Sequence, residues 1–138
     1  MPISIEKKII YVNNTKGMFY NCQSLKIIDL TGIRTADVKD MSFMFYNCKS
    51  LSNISIDFFE TSLTVNMRSI FYNCESLCSL NLSNFNTENV EVMWNMFKGC
   101  SNLEYLDLST FNTSKVKDME SMFEGCLQLR SLDIWHFN

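Results

Sequence analysis

Residues 116–134 read Val-Lys-Asp-Met-Glu-Ser-Met-Phe-Glu-Gly-Cys-Leu-Gln-Leu-Arg-Ser-Leu-Asp-Ile. Counting back in steps of 26 from Phe123 meets Phe97, Phe71, Phe45 and Phe19, and the same steps from Cys126 meet Cys100, Cys74, Cys48 and Cys22. Leu129, Leu103, Leu77, Leu51 and Leu25 keep the same step, as do Leu132, Leu106, Leu80, Ile54 and Ile28. Met122, Met96, Ile70, Met44 and Met18 precede the phenylalanines, with Met119, Met93, Met67 and Met41 three positions earlier. A period of this size means that one supersecondary unit is packed against copies of itself, because a single unit cannot bury its own apolar face. Cut before the valine column, the chain has a lead or cap at 1–11, full units at 12–37, 38–63, 64–89 and 90–115, and a unit at 116–138 that is three residues short.

The expected fold class is an α/β solenoid, with one short parallel strand and one short helix in every unit. Residues 103–109, Leu-Glu-Tyr-Leu-Asp-Leu-Ser, end in alternating apolar and polar positions, the mark of a strand with one buried face. Strands are therefore expected at 27–31, 53–57, 79–83, 105–109 and 131–135, side by side in one parallel sheet. Met119, Met122 and Phe123 fall at helical spacing, which predicts a helix of about two turns before each cysteine. Asn14, Asp40, Asn66 and Asp118 stand where that helix would be capped, and Asn21, Asn47, Asn73, Gly99 and Gly125 where a left-handed residue would end it.

With 138 residues, 46% of them apolar, the chain is one domain's length and can supply a core. A net charge of −3 with both signs scattered lacks the basic footprint of nucleic-acid binding. No run is long and apolar enough for membrane insertion, and residues 1–17 do not read as a secretory signal.

The five units resemble the BspA-like leucine-rich-repeat surface proteins, closest to the variant with a Met-Phe-x-x-Cys core that is common in mycoplasmas and other bacteria. The likeness spans residues 12–138 and rests on units such as 116–134 together with Leu-Ser-Thr-Phe-Asn-Thr-Ser at 108–114. It implies a leucine-rich-repeat-like right-handed superhelix, a cell-surface or secreted location, and a role in adhesion with no catalytic residues. The chain shows no leader or anchor of its own, which keeps a cytoplasmic location open.

The cysteine column is expected to hold buried free thiols: side by side on parallel units, the Cβ atoms stay about 4.8 Å apart, beyond the preferred disulfide range. Cys78 lies outside that column, beside Lys26, Ser52, Glu104 and Arg130, and is expected to be exposed. No cofactor is expected. There is no Cys-x-x-Cys pair, no glycine-rich phosphate loop, and a single histidine, His136. Asp29 with Asp57, or Asp107 with Asp133, are the pairs that could draw calcium, without a calcium-loop signature around them.

The outward face of the strands is the better candidate. Asn81, Asp107 and Asp133 share one column; Tyr105 and Trp135 stand near its end as aromatic anchors. Trp94 replaces the Lys16, Ser42, Arg68 and Glu120 of its own column and is expected to be an exposed second contact. The expected function is a non-enzymatic interaction module that presents Asn81, Tyr105, Asp107, Asp133 and Trp135 to a protein or carbohydrate ligand, such as a host surface. The alternative is a structural spacer or self-stacking array joined end to end through the uncapped unit 116–138.

Overall fold

The computed structural model describes residues 8–138; of the expected lead at 1–11, residues 1–7 lie outside the described part. Successive units lie beside one another with like residues adjacent. β1 (Ile10–Tyr11) pairs in parallel with β3 (Ile33–Arg34), β2 (Ile27–Asp29) with β4 (Asn53–Ser55), and β5 (Ser79–Leu80) with β6 (Tyr105–Leu106). The last two pairs run at the 26-residue offset, Ile28 opposite Ile54 and Leu80 opposite Leu106.

The expected α/β solenoid does not form. Among the described residues there is no helix, and the strands are two or three residues long, in three separate parallel pairs and not one sheet. The protein is a β-and-turn structure without the strand-and-helix alternation of a leucine-rich-repeat superhelix. Strands β5 and β6 stop early because the Asx residue that follows turns the chain: Asn81 accepts the backbone N–H of Ser83, and Asp107 that of Ser109.

The helix fails for a reason visible in the backbone. Along 41–48, alternate N–H groups leave the unit: Met41, Phe43, Phe45 and Asn47 donate to the carbonyls of Asn66, Arg68, Ile70 and Tyr72 in the next one. The residues between them bond three positions back, Met44 to Met41, Tyr46 to Phe43 and Cys48 to Phe45. Such a segment is a run of tight turns laid edge to edge with its neighbours. Two residues in each run take the left-handed conformation, four apart: Phe43 and Asn47 at φ 60° and 61°, Ser69 and Asn73 at 54° and 52°, Asn95 and Gly99 at 57° and 76°. A helix accommodates neither the left-handed residues nor the outward N–H groups. The expected capping column has a different role too. Asp40, Asn66, Val92 and Asp118 are joined unit to unit by isolated parallel bridges, while Asp40, Asn66 and Asp118 each accept the N–H two residues on.

The apolar columns face inward. Phe45, Phe71 and Phe97 are fully buried, and the five phenylalanine rings from Phe19 to Phe123 stack at centroid spacings of 5.4 to 5.8 Å with their planes within 6°. Beside them Cys48, Cys74, Cys100 and Cys126 each donate the S–H to the carbonyl of the phenylalanine 29 residues earlier, at 3.1 to 3.2 Å. All six cysteines are free.

The core also holds a polar column that hydrophobic patterning does not reveal. Thr35, Thr61 and Thr87 are buried; each hydroxyl donates to a backbone carbonyl of the next unit, at Glu60, Asn86 and Asn112, and accepts the N–H of that same residue. Both sides of a buried hydroxyl are thus satisfied, and the hydrogen bonds offset its desolvation.

Candidate functional site

Three surface features come from this stacking. The first lies on the strand arc. Asp107, Ser109, Asp133, Trp135 and His136 line a cleft of about 370 Å³ floored by Leu106 and Leu108. Trp135 is 85% exposed and Tyr105, beside the cleft in β6, is 58% exposed. Tyr105 is bridged to Ser131 in the following unit, which sets the two aromatic residues on one arc. His136 is pinned by a ring contact of 3.1 Å to the Leu108 carbonyl and packs edge-on between Trp135 and Phe137. Asp107 is held below the usual carboxylate range by the N–H and then the hydroxyl of Ser109, so it stays anionic into mild acid. Asn81 stands one unit away from this cleft with its amide engaged: its oxygen accepts from Ser83 and its nitrogen donates to Asp57 at 3.0 Å. Among the described residues no group of three or more His, Cys, Asp or Glu side chains converges as metal ligands would.

The second feature was not anticipated from the sequence. Arg34, Asp57, Phe58, Glu60, Asn84 and Asn86 line a cleft of about 410 Å³, with the Arg34 guanidinium 4.8 Å above the Phe58 ring. Arg34 is anchored by bonds to the carbonyls of Thr31 and Ile33. The signal was present: Phe58 breaks a column otherwise held by Gly32, Asn84, Thr110 and His136.

The third lies on the turn arc, away from the strand arc. Tyr20, Tyr46 and Tyr72 stack at 4.8 and 4.5 Å, and Phe43 meets the first two edge-on at 6.4 and 5.7 Å. Beside Phe43 the guanidinium of Arg68 lies between two rings, 5.2 Å from Phe43 and 3.8 Å from Trp94. Trp94 is half-buried and lies under an arginine, where the sequence leads to an exposed aromatic. The tyrosine column continues as Lys98 and Glu124, which form an ion pair at 2.9 Å. A 26-residue comparison of tyrosines would have exposed this arc.

Four thiols of the column, Cys48, Cys74, Cys100 and Cys126, are shifted away from reactivity. Burial, and then the neighbouring Cys22 thiol, pushes Cys48 up from 9.0 to about 11; burial also raises Cys126 to about 11 and lifts Cys74 and Cys100. A thiolate nucleophile needs the opposite shift.

Residues 52–138 match the family described as Mycoplasma protein of unknown function, DUF285. No curated protein and no solved structure matches the chain.

Proposed function

We propose that this chain, which belongs to the DUF285 family of mycoplasma proteins, is a non-enzymatic interaction module that engages a protein or glycan through its strand arc. The carrying observation is the cleft that gathers Asp107, Asp133 and Trp135 beside Tyr105 on a backbone cross-bonded from unit to unit. Exposed aromatic anchors next to fixed carboxylates suit recognition: the rings supply contact area at low entropic cost, and the carboxylates orient a donor-bearing ligand. The Met-Phe-x-x-Cys repeat shared with BspA-like surface proteins supports an adhesive role at the cell surface. Raised thiol pKa values and the single histidine speak against nucleophilic catalysis. The test is binding of the labelled chain to printed arrays of glycans and extracellular-matrix proteins. Replacing Tyr105, Asp107 and Trp135 together by alanine should abolish the signal while the circular dichroism spectrum is unchanged, and retained binding discards the strand arc.

A second reading, a self-stacking array, draws on the face of unit 116–138. There Met119, Met122, Phe123, Ile134 and Phe137 line an apolar cleft of about 290 Å³. Light scattering that stays monomeric as concentration rises excludes this reading.

A further inference from the structure

The turn arc carries a feature that the strand-arc function does not use. Each of the three arginines is held differently. Arg130 pairs with Glu104 at 3.2 Å, and Arg34 donates to two carbonyls. The Arg68 side chain has only its two ring contacts: its Nε is buried without a partner, and none of its guanidinium N–H groups meets an acceptor among the described residues. Of the carboxylates in nearby columns, Asp40 pairs with Lys16, Glu91 with Lys117 and Glu124 with Lys98, and none of them pairs with Arg68.

A guanidinium clamped between two aromatic faces loses its rotamer freedom and keeps its in-plane N–H fork, the geometry that binds a carboxylate through two parallel hydrogen bonds. We propose that the Phe43–Arg68–Trp94 sandwich is a carboxylate-binding site that takes the acidic side chains of a protein partner. The surroundings favour a peptide over a sugar. Tyr20, Tyr46 and Tyr72 close their inner faces on one another, with planes within 9°, and the guanidinium covers one face of Trp94. A sugar ring needs an open aromatic face. An acidic peptide needs a charged donor, which the guanidinium fork provides. This site is independent of the strand arc.

The chain has two tryptophans, so Trp135→Phe leaves Trp94 as the sole tryptophan, excited selectively at the red edge of the absorption band and in contact with Arg68. Titration of that variant with a capped oligoglutamate peptide should give a saturable change in fluorescence, and capped oligoglutamine none. Arg68→Gln should weaken the oligoglutamate affinity by about tenfold to a hundredfold, the value of hydrogen bonds to a charged group. Arg68→Lys, which keeps the charge and loses the fork, should also weaken it. The proposal is overturned by no response to oligoglutamate, by an undiminished response in Arg68→Gln, or by a response to heparin alone, which would assign the anion to a glycan. Where Arg68→Gln fails to fold, undiminished affinity in Arg68→Lys overturns it.

Discussion

Thr61 shows how one side chain can join two units. Its hydroxyl donates to the Asn86 carbonyl at 2.8 Å and accepts the Asn86 N–H at 2.8 Å, with the residue buried. Thr61→Val keeps the shape and strands both backbone groups, so it should lower the unfolding free energy in urea by about 1–3 kcal/mol; Thr61→Ser, which keeps the hydroxyl, should cost less. The thiols give a pH signature. Cys48 and Cys126 titrate near 9.0 when unfolded and near 11 when folded, so above pH 9 the folded state holds more protons than the unfolded state. Their contribution to stability is therefore complete below the unfolded value and is lost as pH rises through 9 to 11. Urea midpoints should fall across that window, and Cys48→Ala should flatten the fall. At neutral pH, iodoacetamide should label the exposed Cys78 rapidly and the buried Cys48, Cys74 and Cys100 only in denaturant, as mass spectrometry of the native and unfolded chain would record.

At the scale of the element, the turn run stands where the sequence pattern predicts a helix, and a far-UV circular dichroism spectrum without helical minima is the expected result. Left-handed geometry makes Gly99 sensitive: its φ is 76°, and an added Cβ would collide with Asn73 Oδ1. Gly99→Ala should cost about 1–2 kcal/mol or more on thermal or urea unfolding, the ordinary penalty for a Cβ in this region, before the clash is counted. What the sequence made legible at this scale was the inward set. Phe45, Cys48 and Leu51 were readable as buried because every unit repeats them, and Phe59 because its column is apolar throughout. The helix was misread because Met119, Met122 and Phe123 suit two geometries. Apolar residues at i, i+3 and i+4 line one face of a helix, and they also line one side of consecutive turns whose alternate N–H groups point at a neighbour. Periodicity within a unit cannot separate the two, since the deciding hydrogen bonds join residues 25 apart, as Phe45 to Ile70. For the candidate site, the sequence brought Asp107, Asp133 and Trp135 onto one arc. It missed Phe43 and Arg68, whose partnership is diagonal across columns that were compared only straight down.

At the scale of the whole molecule, equivalence of the units makes a numerical test available. Deleting residues 64–89 removes one full period and brings Val90 next to Leu63, so like columns still meet. The shortened chain should fold, with a lower urea midpoint, because fewer neighbouring units share the core. Deleting 64–88 leaves every later column one residue out of step; that chain should be degraded by limited proteolysis under conditions where the 64–89 deletion resists. The cross-unit bonds of the turn runs also have a sense: in each, the donor belongs to the earlier unit and the acceptor to the later, as Phe45 to Ile70, Phe71 to Met96 and Phe97 to Met122. During synthesis, a unit that has left the ribosome therefore presents a row of waiting donors to the next stretch to emerge. Translation delivers the units in this same order, so once two or more have folded together each later segment is expected to add to an edge that is already formed.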